Sequence, residues 1–235
     1  MPLSHTLRIV VVLCVANFFA TKVQAGQRVD QIQKRGYLVC GVARHDPGFS
    51  EVRPDGQFVG LEVDLCLAVA VAVLGSGANV RFQPLETVHE FLSDATIDLV
   101  FHRLTWTLTR EAPGQLEFGP VYFFEPQSKK TIAPLAPLLR SGDVDFIRIV
   151  RWTVFALIEA EERGTLTESA RQTGPSLGLP ENWSRHVIAE VGHYGDIYER
   201  HFGIASTNHL PRGPNRLWRD GGLLYAPAMH EQLGN

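Results

Sequence analysis

The chain has 235 residues, 45% hydrophobic and 20% charged, with 22 Lys and Arg against 25 Asp and Glu and a formal net charge of −3. That composition excludes a disordered polyelectrolyte and offers no basic surface for nucleic acid. The length suffices for one sizeable core or two small domains.

The first 25 residues, MPLSHTLRIVVVLCVANFFATKVQA, place Arg8 before an apolar run from Ile9 to Ala20 and end on Val23-Gln24-Ala25. This is the order of a secretory signal peptide, with cleavage expected after Ala25. An apolar run this short does not reach the roughly 20 residues needed to cross about 30 Å of hydrocarbon, so it is not read as a membrane anchor. Cys14 follows Leu13 rather than a small residue, so no lipid anchor is read either. Cleavage would leave 20 cations against 25 acids, a net charge of −5. It would also remove Cys14 and leave Cys40 and Cys66, an even pair in an oxidising compartment. A disulfide is the reading, with two buried free thiols as the alternative.

Residues 28–35 (RVDQIQKR) predict a short helix closed by Gly36, and YLVCGV at 37–42 a buried strand. After the turn residues RPDGQ at 53–57, Val63, Cys66, Leu67, Ala70, Val71 and Leu74 recur at helical spacing until Gly75. NVRFQPL at 79–85 reads as a second strand, VHEFLSD at 88–94 as a helix and IDLVFH at 97–102 as a third strand. Alternation of this kind implies parallel pairing in an α/β sheet. Residues 117–152 read as a strand, a Pro- and Lys-rich patch and the start of a long amphipathic helix. Two long helical patterns follow, at 144–163 and 183–202. Phe146, Ile149, Val150, Val154, Leu157 and Ile158 stripe the first, and Val187, Val191, Tyr194, Ile197 and Tyr198 the second. Such stripes predict core packing, and Arg148, Arg151 and Glu159 interrupt the first too closely for a membrane span.

Chemical motifs are few. The nine histidines show no metal-ligand spacing, and there is no GxSxG, phosphate loop or CxxC, so neither metal nor cofactor is expected. NWS at 182–184 has the form of a glycosylation sequon, meaningful only in a eukaryotic secretory pathway. The segment DLVFHRLTWTLTRE at 98–111 runs from a strand end through Thr105, Thr107 and Thr109 to Arg110. Ligands of open α/β sheets bind at the carboxyl ends of strands. A guanidinium placed there can hold a carboxylate through two parallel hydrogen bonds. The other reading of Arg110 is a surface pair with Glu111 or a neighbour.

RGYLVCGVARHDPGFSEVRPDGQFVGLEVDLCLAVAVAVLG, IDLVFHRLTWTLTRE, GDVDFIRIVRWTVFALIEAEERG and GHYGDIYERHFG with GPNRLWRDGGLLYAP together resemble the general L-amino-acid-binding proteins of bacterial ABC transporters, within the polar amino-acid solute-binding family. The resemblance covers most of the chain after residue 25. It implies a type II periplasmic-binding-protein fold, whose two α/β lobes are joined by hinge strands and close on an amino acid. Arg110 falls on the arginine that holds the ligand α-carboxylate, with Thr105 and Arg103 at further contact positions and Glu62 and Asp46 on the lobe-one rim.

In that family the chain leaves lobe one near VYFFEPQ, builds a second lobe of roughly 100 residues, and returns near SKKTIAPLAPLLRSGD. Here the return follows at once. The resemblance therefore implies that most of lobe two is absent, with the junction at 126–135. Residues 26–235 would then be a single lobe, a parallel-rich sheet flanked by helices with the C-terminal helices packed on it. The family's Ser-Arg-Asn-Thr-Thr-Trp-Thr-like run is Phe101-His102-Arg103-Leu104-Thr105-Trp106-Thr107 here, so Arg103 replaces a small amide, and Arg44, His45 and Asp46 stand where small or apolar residues are usual.

The implied protein is a periplasmic solute-binding-like component of an amino-acid ABC transport system. It is not an enzyme, its hold on an L-amino acid is weak or lost, and its implied partners are ABC permease subunits. No nucleic acid and no stable membrane insertion after signal cleavage are expected. A second class is a remnant or interaction module exposing the former cleft, which should show an apolar patch around Phe123 and Phe124. A third is a dehydratase-like enzyme on the same fold, for which the sequence suggests no acid–base pair.

Overall fold

The computed structural model describes residues 27–128, 130–164 and 174–229, so the expected signal peptide lies outside the described residues. In chain order the first half forms α1 (Gln27–Arg35), β1 (Tyr37–Ala43), β2 (His45–Asp46), β3 (Ser50–Val52), β4 (Phe58–Val59), α2 (Leu61–Leu74), β5 (Asn79–Leu85), α3 (Val88–Ser93) and β6 (Leu99–Val100). There follow α4 (Leu108–Glu111), β7 (Leu116–Phe118), β8 (Phe123–Ser128), β9 (Thr131–Leu135), β10 (Leu138–Arg140) and α5 (Val144–Arg163). Two further helices are α6 (Trp183–Val191) and α7 (Tyr194–Phe202).

The apolar run of β1 lies inside the main sheet, whose strand order is β5-β1-β6-β10-β7. β1 pairs in parallel with β5 and β6, and β10 runs antiparallel to both β6 and β7. One face of β1 carries Leu38, Cys40 and Val42 into the larger core under α2; Val39 packs on a smaller cluster with Leu85, Phe91, Val100 and Leu138 on the other. A strand covered on both faces reads as a continuous apolar run rather than an alternating one.

Helix α2 departs from the expected one-sided stripe. Besides Val63, Cys66, Ala70 and Val71, it buries Leu61, Leu65, Ala68, Val69, Ala72 and Val73. β1 lies along one side of it, and α5, α6 and α7 pack on the others. An apolar helix is buried all round when layers cover it on every side. Cys40 on β1 and Cys66 on α2 form a disulfide with Cα atoms 6.1 Å apart, tying this helix to the sheet.

The pattern at 183–202 is two helices rather than one. Gly192 takes φ +83°, and His193 caps α7 by accepting from the Asp196 amide at 3.2 Å while Asp196 accepts from the His193 amide at 3.0 Å. Reciprocal capping stabilises a new start where α6 ends. The apolar stripes of α5, α6 and α7 are buried as expected.

Candidate functional site

Strands β1 and β6 end on the same side of the sheet, where the loops carrying Asp46 and Arg103 meet the start of α2. Gly60 precedes that helix with φ +139°, and a Cβ there would stand 2.1 Å from the Phe49 carbonyl oxygen. Glycine therefore lets the loop close down, and the Leu61 and Glu62 amides donate to the carbonyls of Gly48 and Phe49, both at 2.9 Å.

Glu62, in the first turn of α2, is completely buried. Its Oε1 accepts from the Arg103 amide at 2.5 Å and from the Tyr122 hydroxyl, while Oε2 has no partner among the described residues. Burial pushes the carboxyl up to about 7, against the two hydrogen bonds that favour its charged form, and the Asp46 charge adds to the rise. Burial likewise pushes the Tyr122 hydroxyl well up, helped by the neighbouring Glu62.

Arg103 follows β6 in a left-handed backbone conformation, φ +47°. Its Nη1 donates to Asp46 Oδ1 at 2.9 Å, its Nε to Glu125 Oε1 at 2.7 Å, and its Nη2 also to Glu125 Oε1. The guanidinium carbon lies 4.9 Å from the centre of the Phe49 ring. Partial burial works against the cation, but the Glu125 hydrogen bond and the charges of Asp46 and Glu125 outweigh it and raise the guanidinium pKa.

Arg110 is placed elsewhere. On the one-turn helix α4 it is exposed, and its Nη1 donates to the Thr105 carbonyl at 2.6 Å. It lines a separate cavity of about 280 Å³ with His89, Leu92 and Pro113. Among the described residues no hydrogen bond or ion pair joins Arg110 to Glu62, Asp46 or Arg103. Thr105 is held through its backbone, by an antiparallel bridge to Leu135. Of the alternative surface partners, Glu111 or a neighbour, Glu111 is not the one bonded; it accepts from Trp106 Nε1 at 3.0 Å and from the Phe118 amide at 3.3 Å. The structure thus gathers Glu62, Arg103 and Asp46 and leaves Arg110 and Thr105 as a second pair. Tyr122 and Glu125, unremarked in the sequence, complete the first group. Tyr122 sits 60 positions from Glu62, and no local pattern reports such a contact.

Both Tyr122 and Glu125 belong to the segment where β8 and β9 pair as an antiparallel hairpin, Phe123 opposite Leu135 and Ser128 opposite Thr131. Among the described residues no exposed apolar patch surrounds Phe123, the feature by which the interaction-module class was to be recognised. Its ring packs 4.9 Å from Phe49, 5.7 Å from Phe202 and 6.1 Å from Tyr198, because α7 covers this end of the hairpin. Phe124 is half-buried, and its backbone is held on both sides by Asn215, at 2.6 and 3.0 Å. An apolar groove of about 340 Å³ lies nearby, lined by Trp106, Phe118, Phe124, Phe155, Leu223 and Tyr225.

No family model matches the chain. It aligns with the candidate amino-acid ABC transporter-binding protein YhdW of Escherichia coli (strain K12), 26% identical over 92% of the chain and 95% of that protein. Identity to the general L-amino acid-binding periplasmic protein AapJ of Rhizobium johnstonii is 24%, over 85% of the chain and 92% of that protein. The chain's curated relatives are amino-acid ABC transporter-binding proteins. The alignment with YhdW runs over 329 positions, more than the 235 residues available, so that relative carries positions with no counterpart here. Among solved structures, the ABC transporter/periplasmic binding protein from Brucella ovis with glutathione bound superposes with a TM-score of 0.79 at 21% identity, covering 86% of this chain and 99% of that one. The α/β architecture, a parallel-rich sheet flanked by helices, is that of a periplasmic binding protein.

Proposed function

We propose that this chain is a one-lobe periplasmic binding protein of an amino-acid ABC transport system, exported by residues 1–25 and holding an L-amino acid only weakly. The observation that carries this reading is the β8–β9 hairpin. β8 and β9 stay paired as far as Ser128 opposite Thr131, at the place where the resemblance calls for a departure into a second lobe. Residues 126–135 are then the junction, and the alignment with YhdW, longer than this chain, supports the absence of some family positions from it. Relatives of this kind also favour ABC permease subunits as partners and binding rather than catalysis as the role. Among the described residues no helix is long and apolar enough to cross a membrane.

Weak binding follows from exposure. Arg110 is the residue assigned to the α-carboxylate, and it stands at an open surface where an ion pair contributes roughly 0–1 kcal/mol. Association costs about 4 kcal/mol or more, so the expected Kd is about millimolar or weaker. Calorimetric titration of the mature protein with a panel of L-amino acids should show that, and Arg110→Ala should change little. Micromolar binding that Arg110→Ala abolishes would refute the reading. The exposed groove beside Tyr225 and Leu223 favours an interaction module as the second reading, which gains if no amino acid produces any heat.

A further inference from the structure

We propose that Arg103 is a resident ligand of its own chain. Its guanidinium fills a seat built by Asp46, Glu125 and the face of Phe49, and that seat accepts a free guanidinium-bearing solute once Arg103 is removed. The inference goes beyond the amino-acid reading, since it concerns a different group of residues from Arg110.

Three observations carry it. First, the walls stand without Arg103. Asp46 lies on β2, paired with Ser50 of β3, and its carbonyl accepts from the Phe49 amide at 2.9 Å. Glu125 lies on β8 opposite Ala133, and its Oε2 accepts from Gln127 Nε2 at 2.7 Å. Phe49 is wedged between Phe123 and Phe202 at 4.9 and 5.1 Å. Two carboxylates carried on separately paired strands, beside an aromatic face packed by its own neighbours, form a preorganised cation site. Second, the fit is to a guanidinium in particular. Nη1 reaches one carboxylate while Nε and Nη2 reach the other, a division of planar donors that an ammonium cannot match. Third, the backbone is bent to the purpose. Arg103 takes φ +47°, a region that disfavours a side chain, and the buried Glu62 oxygen holds its amide there. The Arg103 side chain is itself 40% exposed, so the seat opens to solvent and a small solute can reach it.

Glycine adopts φ +47° without strain, so Arg103→Gly empties the seat while keeping the loop. The test is thermal unfolding of the mature protein in methylguanidinium chloride, with methylurea and sodium chloride as controls. R103G should show a saturable rise in Tm, about 3–6 °C at ten times the half-saturating concentration. Wild type, with its seat filled, should show none, and neither should R103G in methylurea. R103G combined with Glu125→Gln should lose the response. R103K, whose point charge cannot serve both carboxylates at once, gives a smaller rise and keeps the test open if the glycine variant does not fold. A response equal in wild type and R103G, equal to methylurea, or absent from R103G would overturn the proposal. The outcome is separable from that of the amino-acid titration. Micromolar amino-acid binding lost in Arg110→Ala would sink the weak-binding reading and leave the seat standing.

Discussion

Replacing Glu62 by Gln removes a buried titrating group with little change of shape. The side-chain carbonyl of the Glu62→Gln variant can accept from the Arg103 amide and the Tyr122 hydroxyl as Oε1 does now, and its NH2 stands where Oε2 has no partner among the described residues. Burial raises the folded-state pKa of Glu62 from 4.5 to about 7. Between those values the folded protein keeps a proton that the unfolded chain releases, so stability falls as pH rises through the window. At about 1.4 kcal/mol per unit, the wild type should lose about 3 kcal/mol by pH 7 and above, relative to its stability below pH 4.5. Because the carboxyl is fully buried, solvent screening does not reduce this figure. Urea unfolding of the disulfide-bonded mature protein from pH 4.5 to 8.5 measures it, the variant serving as the reference that cancels every other titration. The wild type should drop toward or below the variant by that amount as pH rises. Parallel curves would refute the reasoning, since they would mean that Glu62 binds its proton equally well in both states.

The Cys40–Cys66 disulfide has a sequence separation of 26 residues, for which the chain-entropy relation gives about 3.5 kcal/mol. Thiol titration of the denatured, unreduced mature protein should find no free thiol, and the double Cys→Ala variant should unfold at correspondingly lower denaturant. Phe123→Ala should cost about 3–5 kcal/mol by the same unfolding assay, because the ring is buried against Phe49, Tyr198 and Phe202. A loss under 1 kcal/mol would mean that the hairpin is not sealed to the domain by α7.

Much of the architecture was legible in the chain. β1, β5, α2 and α5 fall close to where periodicity, Gly36, Gly75 and the flanking turn residues put them, since each signal lies within one element. The disulfide was legible too, from the two cysteines that the expected signal cleavage would leave. Gly192 lies inside the 183–202 pattern, yet the unbroken 3.6-residue stripe hid it, because Val187, Val191, Tyr194 and Ile197 stay buried on both sides of the break.

What only the tertiary structure decided concerns contacts between distant segments. Periodicity reports one buried face, so it could not show that α5, α6 and α7 bury the rest of α2. Resemblance brought Asp46, Glu62, Arg103, Thr105 and Arg110 to one rim, but it could not say which of them would touch. That choice depends on Tyr122 and Glu125, which the β8–β9 hairpin brings up beside α2 and the β6 loop. With two carboxylates to hand, Arg103 turns to Asp46 and Glu125 while Arg110 is left with a carbonyl. A sequence determines which charges a chain carries and which faces of its helices are apolar. The partner each charge finds is settled by folding, because a cation's energy depends on distances of a few ångströms between residues that lie 22 and 57 positions away along the chain.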